Sequence, residues 1–295
     1  MKPARTLRYG LEYAALRCGL AFIENFPLSI AVRAAGLAGG AYFLLNGRRR
    51  RLAEDNIRRA GIAAGDDEVR RIARESFANM GIVAVESLKF ARLVNAENWR
   101  DHVEVEGDAP ALEALRDVRH GIIIASAHLG NWEIAAQIVG FFRPIAGVAR
   151  RMNNPYVDKL IKQRSSRRKF MTIEKGGGGH ALLSALKRGE ALALLMDQHA
   201  RTAGMKIDFF GRPAATHTSP ARLHLATGAP LFFGYCLRTG PLTYKTTVKG
   251  PLNFAGGGDK QGDVRAIMEW LNRELETAIR RAPEQYLWAH RRWRD

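Results

Sequence analysis

The spacing of apolar residues changes character near residue 120. Before that point they recur at helical intervals, as Ile72, Phe77, Met80, Ile82 and Val83 do within the stretch 52–92, which carries no strand signal. From residue 121 onward short apolar runs take over: GIIIASA at 121–127, PIAGVA at 144–149, ALALLMD at 191–197 and PLFFGYCL at 230–237. Amphipathic segments separate them near 131–141, 155–168, 180–188 and 219–227, and a long one follows at about 263–281. Apolar runs of this length are strands buried on both faces, and with helices between them they predict an α/β fold: a mixed, partly parallel sheet flanked by helices. No repeat or linker interrupts residues 52–295, which read as one domain behind an N-terminal segment, 1–51, of different composition.

That segment contains the stretch 27–46 (PLSIAVRAAGLAGGAYFLLN), 20 residues with one charge, Arg33. A bilayer core takes about 20 apolar residues to cross, so the length suffices. Its composition is marginal, because an arginine near the middle costs roughly 2.5–3.5 kcal/mol on insertion scales, and alanine and glycine return little. The preceding stretch, 11–26, is broken by Glu12, Arg17 and Glu24 and reads as an amphipathic helix. Membrane attachment is therefore expected, through either a weak single span or helices lying in the interface. A cleaved signal peptide is disfavoured, since basic residues follow the apolar core and no small-residue cleavage site closes it. If a span forms, Arg48, Arg49, Arg50 and Arg51 hold its following end, and all that comes after, in the cytoplasm.

Charge sharpens this picture. The 46 Lys and Arg outnumber the 29 Asp and Glu by 17, an excess that asks for a polyanionic partner. It is local: residues 1–51 hold nine basic and two acidic residues, and residues 143–169 hold nine basic residues against Asp158 alone. A nucleic-acid binding protein of another class would fit the charge, but no helix-turn-helix, aromatic RNA-binding motif or zinc module is visible, so nucleic acid is not expected as a partner. Cys18 and Cys236 belong to no pair motif, which leaves neither a disulfide framework nor a cysteine zinc site and fits a reducing compartment.

The chemistry concentrates in Ser126-Ala127-His128-Leu129-Gly130-Asn131-Trp132-Glu133, where one apolar run ends and a helix begins. Carboxyl ends of strands in open α/β sheets are where sites collect. Five positions apart on an ideal helix point about 140° away from each other, so His128 and Glu133 meet only if a turn intervenes. With His128 on a loop and Asn131 capping the helix, Glu133 stands in the first turn and can accept a hydrogen bond from the imidazole, fixing its tautomer and raising its basicity. That is a general base without a nucleophile of its own, so the nucleophile is a substrate hydroxyl. Ser126 lacks the glycine-flanked elbow of a hydrolase. The histidines show no metal-ligand spacing, and no metal is expected. Residues 176–179, four glycines before a helix, lack the Lys-Ser/Thr ending of a phosphate loop and default to a turn. Asp197 ends another apolar run on the same presumptive edge, and Arg164 in the basic segment 155–168 is placed to meet a phosphate or a sugar acid.

His128-x4-Glu133, ARRMNNPYVDKLIKQR, LMDQ with IDFFGRPAATHTSPARL, and PEQYLWAHRRWR at 283–294 together resemble the lipid A biosynthesis acyltransferases, over nearly the whole chain. The resemblance implies a glycerolipid acyltransferase-like fold. It also implies transfer of a fatty acyl group from an acyl carrier protein thioester to a hydroxyl of a lipid A precursor, at the cytoplasmic face of a bacterial inner membrane, with no cofactor. It places the family's catalytic dyad on His128 and Glu133 and its further functional residues on Arg164 and Asp197, the latter pinned by MDQ and the former with Arg167 and Arg168 close by. Relatives use other acceptors and donors, so another glycolipid or a lysophospholipid stands as the alternative acceptor. An acidic carrier protein and a phosphorylated lipid both suit the basic segments.

Overall fold

The computed structural model describes residues 3–107, 112–113, 116–117, 119–149, 151–166, 170–174, 178–200 and 204–294. Four helices open the chain: α1 (Pro3–Asn25), α2 (Leu28–Leu45), α3 (Gly47–Arg59) and α4 (Asp66–Leu93). There follow β1 (Val103–Gly107), β2 (Ile122–Ser126), α5 (Trp132–Phe142), β3 (Ile145–Ala149), α6 (Pro155–Ser166), β4 (Phe170–Glu174), α7 (Gly178–Lys187) and β5 (Ala191–Leu195). The last third contains β6 (Gly204–Phe209), β7 (Arg212–His217), α8 (Ser219–Thr227), β8 (Leu231–Gly240), β9 (Thr243–Lys249) and α9 (Lys260–Arg281).

Seven strands form one sheet in the order β1-β9-β8-β2-β5-β3-β4, and β6 and β7 pair separately as a hairpin. Every neighbouring pair in the large sheet is parallel except β8 and β9. The mixed, partly parallel sheet flanked by helices is thus as the apolar runs predict. β2 (IIIAS), β5 (ALALL) and the first half of β8 (LFFGYC) lie at the centre and bury both faces, the usual state of parallel strands under helices. On one face Ile123, Ala125, Leu192, Leu194, Leu231 and Phe233 meet the buried side of α9 and the inner residues of α3 and α4. On the other, Ile122, Ile145, Ala191 and Phe232 pack with Ala136 and Val139 of α5. Alternate residues of one strand therefore feed two different cores.

α9 shows why the long C-terminal pattern makes a helix that stays. Asp259 caps it by accepting from the amides of Gln261 and Gly262, and Val264, Ile267, Met268, Leu271 and Leu275 recur on its buried side. Each such side chain contributes about 1.5–3 kcal/mol on burial. Phe43 of α2 and Ala53 and Ile57 of α3 belong to the same core, so the N-terminal helices share apolar packing with the rest of the molecule. Residues 176 and 177 of the glycine run lie outside the described residues, and α7 starts at Gly178.

Candidate active site

β2 and β5 are adjacent and parallel, with Ser126 opposite Leu195. The amide of Met196 donates to the Ser126 carbonyl (2.9 Å), carrying the pairing one residue past the strand ends. Two residues beyond each strand stand His128 and Asp197, and the register alone brings them side by side. Asp197 grips the histidine twice: Oδ2 accepts from the His128 amide (3.0 Å) and Oδ1 pairs with Nδ1 (2.9 Å). A carboxylate only accepts, so Nδ1 carries the proton and Nε2 is the nitrogen with a lone pair. The His128 side chain keeps 16% of its surface exposed against 3% for Asp197, so the ring is reachable from outside and its partner is sealed. Trp132 packs edge-on against the ring with centroids 4.9 Å apart.

The loop that presents His128 is fixed at every residue. Gly130 has a φ of +59°, and a Cβ there would run into the Cys236 carbonyl of β8, which explains glycine at the closest approach of loop and strand. The Gly130 amide donates to the Gln285 carbonyl (3.0 Å), the Asn131 amide to the Cys236 carbonyl (2.7 Å), and the Leu287 amide to the His128 carbonyl (3.1 Å). Asn131 caps α5 by accepting from the Ile134 amide (3.1 Å), with Ser87 of α4 donating to the same oxygen (2.9 Å). Asn131 thus caps the helix as the sequence predicts, and Glu133 lies in its first turn. The Ser126 hydroxyl is used internally, donating to the Gly234 carbonyl (2.7 Å).

The electrostatics favour an ionised Asp197 and a basic His128. Burial, the largest single influence, pushes the Asp197 carboxyl up, but the charge of His128, its two hydrogen bonds and the charge of Arg292 together hold it below the usual carboxylate range. Burial likewise pushes the imidazole down, and the Asp197 charge, the Asp197 hydrogen bond and the Glu133 charge outweigh it, leaving His128 above its ordinary value. The orienting hydrogen bond at Nδ1 therefore belongs to Asp197, while Glu133 acts on the ring through its charge. Arg164 falls on α6, but its side chain is outside the described residues, as are Arg167 and Arg168.

Sequence reasoning passed over the floor of the site, which the C-terminal residues 283–294 provide. Leu129 bridges to Tyr286, whose phenol is buried; burial and the charge of Asp197 raise it far above its normal value. Arg292 is buried behind Asp197, donating to the Ala215 carbonyl (2.9 Å) and the Thr216 hydroxyl (2.7 Å), its guanidinium 4.9 Å from the centre of the Phe209 ring. His290 accepts from the His199 amide through Nε2 (3.0 Å), and burial pushes its pKa down to about 4, so it stays neutral beside the charged pair. The Gln285 side chain closes on the backbone of Arg238, accepting from its amide (2.9 Å) and donating to its carbonyl (3.0 Å). Arg238 in turn meets the fully buried Glu86 of α4 with Nε 3.0 Å from both carboxylate oxygens, and the Tyr244 hydroxyl donates to the same group. The signal in the sequence was the density of aromatic and arginine residues after α9, too polar for a strand and too aromatic for a solvated tail.

The family model described as bacterial lipid A biosynthesis acyltransferase matches residues 2–295. The chain is 27% identical over 304 residues to a lipid A biosynthesis lauroyltransferase of Escherichia coli, covering 97% of this chain and 92% of that protein. A lipid A biosynthesis palmitoleoyltransferase of the same organism is 24% identical over 250 residues, 84% of this chain and 79% of the relative. A phosphatidylinositol mannoside acyltransferase of Mycolicibacterium smegmatis is 26% identical over 238 residues, 77% and 74% of the two chains.

Proposed function

Because the chain belongs to the bacterial lipid A biosynthesis acyltransferase family, we propose that it moves a fatty acyl group from an acyl carrier protein thioester to a hydroxyl of a lipid A precursor. His128 is the general base, and the reaction takes place at the cytoplasmic face of the bacterial inner membrane. The observation that carries this reading is the Asp197–His128 pair, its Nδ1 held and its Nε2 left to take a proton, at the carboxyl ends of adjacent central strands.

The acceptor hydroxyl hydrogen-bonds to Nε2. As its oxygen attacks the thioester carbonyl carbon, the proton passes to Nε2 and the carbonyl electrons move to oxygen. Asp197, ionised, stabilises the imidazolium that forms. The tetrahedral intermediate collapses, the carbon–sulfur bond breaks, and the thiolate takes the proton back from Nε2, so an ester and a free thiol leave and the histidine is restored. A positioned base of this kind supplies about 10²- to 10⁴-fold. Glu133 holds a negative charge near the ring through the cycle, and Arg164 is assigned to the phosphate or sugar acid of the substrate.

The mycobacterial relative, named for a different glycolipid, supports a second reading in which the acceptor is another glycolipid and the chemistry is unchanged. Mass spectrometry of lipids from cells lacking the protein and from complemented cells separates the two: a missing acyl mass on lipid A supports the first, and on another glycolipid the second. The proposed chemistry requires that His128→Ala lower turnover about 10²- to 10⁴-fold while the variant unfolds as the parent does. Undiminished turnover overturns it.

A further inference from the structure

α2 is the one described helix long and apolar enough to cross a bilayer. We propose that it does not cross: it lies along the membrane surface with both ends on the side of the catalytic domain, and the protein is held in one leaflet. The inference rests on the membrane attachment contained in the functional reading above and adds its geometry.

A helix that crosses must leave its two ends on opposite sides. The chain before α2 would then be separated from everything after it, yet the structure ties it to the domain at two places. At its C-terminal end, α1 is held by α4: Lys89 Nζ donates to the Phe26 carbonyl (2.8 Å) and the Glu24 carbonyl (3.4 Å), and Arg92 also donates to Glu24 (3.2 Å). Towards its other end, Asn154 at the start of α6 donates to the Tyr9 carbonyl (2.9 Å) and to Glu12 (3.1 Å), and the rings of Tyr13 and Tyr156 lie 6.0 Å apart. A spanning α2 would break both sets.

α2 itself is seated lengthwise on α4. Gly39 lies against the backbone of Phe77 and Gly81 against the carbonyl of Ala35, so that a Cβ at either position would collide with the facing helix. Helix backbones come this close only where small residues allow it, and two such positions, one on each helix, fix the seat. The opposite side of α2 carries Ile30, Leu37 and Leu44, all exposed and spaced along one stripe by seven residues. Arg33 is also exposed there. In a helix lying flat its long side chain reaches the headgroups, whereas in a crossing helix it would sit near the bilayer centre.

The occupant of that stripe is an anionic lipid leaflet. Eight of the fourteen large exposed apolar side chains among the described residues fall in the first 45 positions. Exposed Arg48, Arg49 and Arg51 follow directly, the pairing of apolar stripe and basic border that an interfacial helix uses.

Native Cys18 supplies the test, being exposed on α1, whereas Cys236 is buried. Full-length protein is produced in bacteria, and a membrane-impermeant maleimide is applied to spheroplasts and to inside-out membrane vesicles. The chains compared are the parent, a Gly10→Cys variant in a Cys18→Ser background, and an Ala266→Cys variant in the same background as the marker of the catalytic domain. Labelling of positions 10 and 18 only where position 266 is labelled is the expected result. Labelling of either from spheroplasts, with 266 protected, shows that α2 crosses and overturns the proposal. Membrane attachment has a separate readout: the parent sediments with membranes, and the double variant Leu37→Asp and Leu44→Asp, altered only at exposed positions, moves into the supernatant. A parent that never sediments removes the underlying functional reading instead.

Discussion

In the proposed mechanism the pH response is decided by two side chains, His128 and Asp197. A general base works in its neutral form, so activity rises with pH as the imidazole loses its proton. Asp197 and Glu133 together hold that proton more tightly than an isolated histidine would. The acid limb of the pH–rate profile therefore has its midpoint above about 6.5, the unperturbed histidine value. Replacing Asp197 with Asn keeps the shape, removes the charge and allows the wrong tautomer, so two effects are expected together in steady-state kinetics. Turnover falls about 10²- to 10⁴-fold, and the limb moves to lower pH, since burial then acts with less opposition. A variant whose limb stays in place would show that Asp197 does not set the basicity. The sequence displayed both residues but not their bond. Glu133 is five positions from His128, near enough to suggest itself as the partner, whereas Asp197 is 69 positions away and reaches His128 only through the β2–β5 register. Each stands two residues past the end of its strand, Ser126 of β2 or Leu195 of β5, an equal offset that the apolar runs at 121–127 and 191–197 do not display.

The elements differ in how plainly they were written. β2, β3, β5 and β8 were legible because central parallel strands must be apolar on both faces. β1 (VEVEG), with a charge at every second residue, and β9 (TYKTTVK), made mostly of threonine and lysine, lie at or near one edge, and a search for apolar runs passes over both. The contact that fixes β8 against α4 is likewise invisible in a single stretch: Glu86 is wholly buried in a helix of otherwise ordinary pattern, and its partner Arg238 lies 152 residues later. Removing one member of a buried ion pair strands the other's charge, so Arg238→Ala is expected to cost about 3–5 kcal/mol, measured by denaturant unfolding. The double replacement Glu86→Leu with Arg238→Met, which leaves no charge behind, is expected to cost distinctly less. Because Gln285 clamps the backbone of Arg238 and its own carbonyl receives the Gly130 amide, the single variant also loosens the His128 loop. Its turnover falls, and the double variant recovers part of it.

At the scale of the whole molecule, the C-terminal strap and the N-terminal helices meet: Asn56 of α3 donates to the carbonyls of Trp288 and His290 (both 2.7 Å), and Arg49 to that of Ala289 (2.8 Å). The strap that floors the site is thus bound to the helices proposed to face the lipid. The net charge of +17 gives this arrangement a direction, since an anionic surface attracts the basic border and turns α2 towards it. Such attraction is worth about fivefold in partitioning per arginine near the surface and fades within a Debye length, about 10 Å at 0.1 M salt. Arg48 and Arg51 are exposed. Changing both to Gln is therefore expected to weaken partitioning to phosphatidylglycerol vesicles about 30-fold at 0.1 M salt. The same change leaves binding to phosphatidylcholine vesicles near the parent value, where only the apolar stripe acts. Raising the salt to 0.5 M should bring parent and variant together on both lipids, as vesicle flotation would measure. An equal loss on both lipids would mean that these arginines support the fold and do not read the charge of the surface.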